Sequence, residues 1–243
     1  MKLLILAAGY GTRLYPLTKD KAKPLLEVGE KAIIEHILDK IADIDDITEI
    51  FIVTNNKFYT DFVDWSKTIK FKMPIKIIND QTMTNEDRLG AIGDIHFVVQ
   101  EKDINDDLLV IAGDNMFGFA LSDFVEFFHQ KKSSVVAFHD LKSVEKVKGK
   151  YGVGILNGSK VVNFEEKPLV PKSSLASTAC YFFKKSDLPH LHNLIKTGKA
   201  DASGNLITHL AEVSEVHGFV FDEHWFDIGS FESLKEAQRV YEQ

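Results

Sequence analysis

The strongest constraint on this chain lies at its opening. The apolar run Leu3-Leu4-Ile5-Leu6-Ala7-Ala8 stops at Gly9-Tyr10-Gly11-Thr12-Arg13-Leu14 and, after a short polar loop, reaches Lys23-Pro24. A run that short and apolar, closed by glycine, predicts a buried parallel strand feeding a loop. Gly9 and Gly11 carry no Cβ, so the loop backbone can turn tightly and bring its N–H groups close to a ligand. Arg13 offers a planar fork of donors suited to phosphate oxygens, and Lys23 a compact cation. The stretch suits a polyphosphate, although two glycines alone equally suit an ordinary turn. Neither familiar glycine loop fits it: a dinucleotide fingerprint needs a third glycine where Leu14 stands, and a Walker A loop needs a Gly-Lys-Ser/Thr that is absent.

A formal net charge of −7 over 243 residues argues against a nucleic-acid surface, which needs clustered basic residues in excess. Local cations at Arg13 and Lys23 still admit a small anionic substrate. The single cysteine, Cys180, excludes an internal disulfide and a cysteine-rich metal site, and its apolar setting in TACYFF predicts a buried, inert thiol. Met1-Lys2 leads into only a short apolar run with no small-residue cleavage site, and no stretch approaches the ~20 apolar residues of a membrane span. The expectation is a cytoplasmic protein with no membrane partner.

Along the chain, short apolar runs alternate with amphipathic segments. Lys31 to Asp43 predicts a helix burying Ile33, Ile34, Ile37, Leu38 and Ile41, followed by a strand at Glu49 to Thr54, a helix carrying Phe58, Phe62, Val63 and Trp65, and a strand at Pro74 to Asn79. A polar loop up to Asp87 precedes a helix with Leu89, Ile92, Ile95, His96 and Val99. Leu108 to Asp114 predicts a central strand ending in Gly113-Asp114-Asn115, and Ser122 to Lys132 a helix. This order is that of an open, mostly parallel sheet with helices on both faces, which binds ligands beyond the C-terminal strand ends. Beyond SVVAFHDL, strands dominate, with Asn157-Gly158 as a hairpin turn. Residues 144–222 are expected to form a mixed β-rich lobe continuous with the sheet, after a nucleotide-binding part at 1–143 and before a closing segment at 223–243. His190 and His192 lie two apart on a helix and make no metal motif.

The string LAAGYGTRLYPLTKDKAKPLLEVGEKAIIEHIL resembles the opening of the sugar-1-phosphate nucleotidyltransferases, or nucleotide-sugar pyrophosphorylases. Their signature is Gly-x-Gly-Thr-Arg-Leu followed by lysine in a Lys-Pro-Leu context. The pieces GDN, KYGVGIL, FEEKP, ASTACYFF and WFDIG extend the resemblance over nearly the whole chain. It implies a Rossmann-like nucleotide-diphospho-sugar transferase fold and a Mg²⁺-dependent reaction of a nucleoside triphosphate with a sugar 1-phosphate. Thymidine or uridine triphosphate with glucose 1-phosphate are the leading pairs. By the same resemblance Arg13, Lys23 and Asp114 are catalytic, and Asp114 and Asp227 hold the metal. Leu6, Ala8, Gly9, Gly11, Thr12, Arg13, Lys23, Asn79, Gln81, Gly90 and Asp114 bind the nucleotide. Tyr151, Gly152, Glu166, Lys167, Thr178 and Tyr181 bind the sugar phosphate.

Two positions depart from the family pattern: Arg88 stands where glycine is usual in the base-reading loop, and Ala179 where glycine is usual beside the sugar. The second departure keeps open a cytidylyltransferase for a non-sugar phosphate such as phosphocholine. A non-catalytic nucleotide-sugar sensor is the reading from a different class, and the presence of Arg13, Lys23, Asp114 and Asp227 speaks against it. The short stretch after Asp227 leads to the expectation of a monomer or simple homodimer.

Overall fold

A computed structural model describes residues 1–198 and 200–242, so Lys199 and Gln243, which fall inside the expected segment bounds, lie outside the described residues. Its strands are β1 (Lys2–Leu6), β2 (Glu27–Val28), β3 (Lys31–Ala32), β4 (Glu49–Thr54), β5 (Ile75–Asn79), β6 (Leu108–Ala112), β7 (Asn115–Phe117), β8 (Ser134–Asp140), β9 (Gly152–Asn157), β10 (Lys160–Glu166), β11 (Leu175–Phe183), β12 (Val216–Phe221) and β13 (Trp225–Asp227). Its helices are α1 (Ile33–Ile41), α2 (Tyr59–Thr68), α3 (Gly90–Glu101), α4 (Leu121–Lys131), α5 (Val144–Val147), α6 (His190–Lys196), α7 (Gly204–Val213) and α8 (Phe231–Tyr241).

Nine strands form one sheet in the order β5-β4-β1-β6-β11-β8-β12-β10-β9. The first four are parallel, as their continuous apolar runs predict, and side chains alternate between two cores. Leu3 and Ile5 of β1, with Leu109 and Ile111 of β6, pack under α1, α2 and α4. Leu4, Leu108 and Val110 face the opposite way, under α3, α6 and α7. From β11 onward the sheet is mixed: β11 runs antiparallel to both β6 and β8, and β9 and β10 form the hairpin that Asn157-Gly158 predicts. Ala176 of β11 also pairs with Val153 of β9, so the far end of the sheet curls back on itself beside the central strands. Cys180 is fully buried in β11, and burial pushes its thiol up, out of reach of ionisation.

Several boundaries differ from the sequence expectation for local reasons. The first helix begins at Ile33 rather than Lys31, because Lys31 and Ala32 pair with Glu27 and Val28 in a small hairpin. The expected central strand Leu108–Asp114 breaks after Ala112, where Gly113 packs so tightly on β1 that a Cβ there would lie 2.9 Å from Leu6 O. The chain then starts a new strand, β7, that pairs antiparallel with β13. Neither three-residue strand carries a periodicity long enough to be read from the letters.

Candidate functional site

The loop after β1 is set by Gly11, where a φ of +63° and a tight contact with Thr18 both disfavour a side chain: a Cβ there would lie 3.1 Å from Thr18 Cβ. Thr18 Oγ1 donates to Gly11 O at 2.7 Å, closing the loop. Gly9 differs from the expectation, since it has neither positive φ nor a neighbour within 4 Å of a built Cβ; it borders open space on the ligand side. Buried Asn55 anchors the loop start through Nδ2 to Ala8 O at 2.9 Å. A hollow of about 350 Å³ opens over this loop, lined by Gly9 to Leu14, Lys23, Asn85, Arg88 and Gly229.

Gly113 also sets the metal-candidate residues. A Cβ at Gly113 would lie 3.2 Å from Pro24 Cγ, so the Lys23-Pro24 turn rests directly on the end of β6. Lys23 Nζ there forms an ion pair with Asp114 Oδ2. Asn115 Nδ2 donates to Asp114 Oδ1 at 2.9 Å, and Trp225 Nε1 donates to Asn115 Oδ1 at 2.6 Å. Asp227 sits opposite Asn115 in the β7–β13 ladder, and Ile228 N donates to Asp114 O at 3.0 Å. Two aspartates distant in sequence therefore share one end of one two-stranded ladder.

Their charges are felt mutually. Burial raises the cost of ionising Asp114, but the charge and hydrogen bond of Lys23, with that of Asn115, outweigh it and hold the carboxyl below its usual range. Asp227 gets no such hydrogen bond. Burial and the Asp114 carboxylate push it up to about 6, only partly offset by Lys23, Arg13 and Lys167. A pair of partly buried carboxylates, one of them short of positive charge, is a donor set that fits a hard divalent cation. Magnesium usually takes only one or two carboxylates from the protein. Among the described residues no group of three or more His, Cys, Asp or Glu side chains that could hold a metal ion is found, so the protein's share of the coordination is these two carboxylates.

A second hollow of about 260 Å³ meets the first at Arg13. It brings together Asp114, Asp227, Tyr151, Gly152, Glu166, Lys167, Thr178 and Tyr181, with Ala179 and the Trp225 of the WFDIG piece, and it adds Lys150, Ser177 and Ser203, to which the sequence assigns no role. Tyr151 packs edge-on to Trp225, ring centroids 4.9 Å apart. Burial raises the Glu166 carboxyl, partly countered by Lys167. The Tyr181 hydroxyl joins Ser203 Oγ at 2.8 Å and Ser177 Oγ at 3.2 Å, while Thr178 Oγ1 donates to Ala137 O at 3.0 Å. Register slips in β11 between Ser177 and Tyr181, and in that bulge Ala179 has φ +52°. A left-handed residue there explains why glycine would be at ease at this position.

Leu6, Ala8, Asn79, Gln81 and Gly90, also expected at the nucleotide, are not among the residues lining either hollow. Leu6 and Ala8 form the strand end and its buried continuation. Asn79 Nδ2 donates to Asn56 Oδ1 at 2.8 Å and its Oδ1 accepts from Gln81 N at 2.8 Å. Gly90, φ +78°, packs against the loop carrying Ala200 and Asp201, whose carbonyls accept from the N–H groups of Ala91, Ile92 and Gly93. Arg88, by contrast, lines the first hollow; its Nη1 donates to Asn85 O at 2.8 Å and its Nη2 pairs with Asp201 at 3.2 Å.

This geometry has close counterparts. A family profile described as nucleotidyl transferase matches residues 2–243. The bifunctional protein GlmU of Methanocaldococcus jannaschii is 28% identical over 98% of the chain, and that of Methanococcus maripaludis 27% identical over 94%. The chain spans about half the length of these curated relatives, 54% and 51% respectively. Among solved structures, a candidate glucose-1-phosphate thymidylyltransferase from Bacillus anthracis, crystallised with a sucrose, superposes with a TM-score of 0.85 at 26% identity, covering 100% of this chain and 96% of that one. A UDP-glucose pyrophosphorylase complexed with UDP-glucose shares the fold, with a TM-score of 0.84 at 21% identity, covering 99% of this chain and 97% of that one. The chain belongs to the nucleotidyl transferase family.

Proposed function

We propose that the protein joins a nucleoside triphosphate to a sugar 1-phosphate, releasing pyrophosphate, with Mg²⁺ as cofactor. The observation that carries this reading is the meeting of two hollows at Arg13, with Asp114 and Asp227 on the wall of the second. The glycine-loop hollow, with Lys23 and Arg88, suits a triphosphate. The second hollow suits a phosphorylated polyol: Lys150 and Lys167 supply positive charge, while Glu166, Ser177, Tyr181 and Ser203 supply acceptors and hydroxyls.

An oxygen of the sugar phosphate attacks the α-phosphorus in line; the new P–O bond forms as the bond to the β-phosphate bridging oxygen breaks, and pyrophosphate leaves with that electron pair. No general base is required, because the attacking oxygen is already anionic near neutral pH. The obstacle is repulsion between two polyanions, about 1 kcal/mol per charge pair at 4 Å in water and about 4 kcal/mol near a protein surface. Arg13 and Lys23 offset the charge of the triphosphate and the leaving group, and Lys167 that of the sugar phosphate. Magnesium held by Asp114 and Asp227 would supply further neutralisation at the α-phosphate.

Thymidine or uridine triphosphate with glucose 1-phosphate remain the first pairs to try, in keeping with what the Bacillus anthracis neighbour is named for. The test is a pyrophosphate-release screen of all common nucleoside triphosphates against a panel including glucose, N-acetylglucosamine and other sugar 1-phosphates, with phosphocholine as the non-sugar arm. Release with a sugar 1-phosphate and none with phosphocholine supports the proposal. Release only with phosphocholine overturns it in favour of a non-sugar substrate.

A further inference from the structure

Beneath the glycine-loop hollow lies a pair of buried carboxyl groups that the proposed chemistry does not use. Asp80 follows β5 and Asp94 lies in α3; they are 5% and 6% exposed. The two carboxyl groups lie within reach of each other, and Asp80 Oδ2 and Asp94 Oδ1 are both buried with no hydrogen-bond partner, so a proton between the two groups would satisfy them. Two carboxylates cannot bond without a proton between them, and among the described residues no cation pairs with either. One of the pair is therefore a carboxylic acid.

Asp80 Oδ1 is already committed as an acceptor, from Thr82 N at 2.7 Å and Thr82 Oγ1 at 2.8 Å. Thr82 Oγ1 in turn meets the Tyr10 hydroxyl at 3.2 Å, and Tyr10 lines the hollow. The same aspartate thus holds the start of the loop that delivers Asn85 and Arg88 to the hollow, while Asp87 folds the loop's middle by accepting from Met83 N and Thr84 N.

We propose that Asp94 is a positioning residue for the nucleotide hollow: in its protonated form it donates to Asp80, and the chain Asp94–Asp80–Thr82–Tyr10 holds the 81–88 loop and Tyr10 at the hollow's edge. This rests on reading that hollow as the nucleotide site. Burial and the Asp80 charge raise the Asp94 carboxyl to about 8, so the donor survives at neutral pH. The charged groups facing the chain are acidic throughout: Asp87 toward Asp80, and Asp80, Asp87 and Glu86 toward Tyr10. From the elements packed on α3, β1 and β4 present the apolar Leu4, Phe51 and Val53, His192 of α6 stacks on His96, and Asp201 pairs with Arg88. Among the described residues no cation pairs with Asp80 or Asp94 to compensate a second negative charge.

The test is the pH dependence of the KM for the nucleoside triphosphate between pH 7 and 9 in wild type, D94N and D80N. An amide at either position donates permanently. If only the protonated pair holds the hollow in shape, wild-type KM rises about tenfold by pH 9, as the competent fraction falls. Both amide variants should stay flat, with kcat unchanged. D94A should show the raised KM already at pH 7. A wild-type rise that persists in D94N and D80N overturns the proposal, as does a flat wild-type profile. Should the protein turn over no nucleotide at all, the functional reading fails by itself, and melting temperatures still test the pair. The raised Asp94 value makes the native state hold a proton that the unfolded chain releases, so wild type should lose stability relative to D94N as pH rises from 5 to 8. A constant difference between the two would overturn the pair.

Discussion

Asp227 lies directly across a two-stranded ladder from Asn115, and the next residue's N–H reaches back to Asp114 O at 3.0 Å, so the two acidic side chains are fixed to each other by backbone. Backbone coupling of this kind leaves little freedom for either carboxyl to retreat. Their mutual repulsion consequently appears in the titration of Asp227.

Proton release should accompany metal binding. Asp227 titrates near 6 in the folded chain, above its ordinary value, so between about pH 4 and 6 the native protein holds a proton that the unfolded chain has lost. The stability this group contributes is therefore greatest in acid and falls as pH rises through that window. Calorimetric Mg²⁺ titrations in buffers of different ionisation enthalpy should show roughly half a proton released per ion at pH 6 and almost none at pH 8. Equal release at both pH values would contradict the assignment of Asp227 as a ligand.

Replacing Lys167 by alanine should raise the KM for the sugar phosphate roughly tenfold with a smaller effect on the KM for the nucleotide, the size expected for one charge-assisted hydrogen bond on a half-exposed side chain. Initial rates with each substrate varied in turn separate the two. A change confined to the nucleotide would place Lys167 in the wrong hollow.

The two fates of the sequence expectations have physical causes. Long apolar runs such as Leu3–Ala8 and Leu108–Ala112 left little choice but buried parallel strands, and the helical spacing of Ile34, Ile37, Leu38 and Ile41 fixed a buried face. The signature loop pointed to Arg13 and Lys23. Short elements stayed hidden: β7 and β13 are three residues each, and only their pairing with each other gives them a partner. Lys150 and Ser177 lie within the KYGVGIL and ASTACYFF pieces but beside the residues to which the resemblance gives a role, and Ser203 lies in none; Ser177 enters the second hollow at the β11 bulge, and Ser203 through its hydrogen bond with Tyr181. At Gly204, at the start of α7, a Cβ would lie 2.1 Å from Glu166 Oε2, so its smallness makes room for that carboxylate, which no sequence pattern announces.

Ala179 offers a stability test of the bulge. With φ at +52°, an L-residue bears a left-handed cost of about 1–2 kcal/mol that glycine avoids, offset in part by glycine's greater freedom when unfolded. A179G should stabilise the fold by about 0.5–1 kcal/mol, and A179V should destabilise it by more than that, since a β-branched side chain is least at ease there. Urea unfolding of the three proteins checks the order. A less stable A179G would mean that the methyl group's packing outweighs its backbone strain.

The central claim is that Asp227 holds the ion on which nucleotidyl transfer depends. The direct measurement is the initial rate of pyrophosphate release by D227N at ordinary Mg²⁺, beside its melting temperature without metal. The account predicts a fall of about 10²–10³ in turnover, with a melting temperature equal to or above that of wild type at pH 7, because a carboxylate that is costly to ionise has been removed. A near-wild-type rate would contradict it.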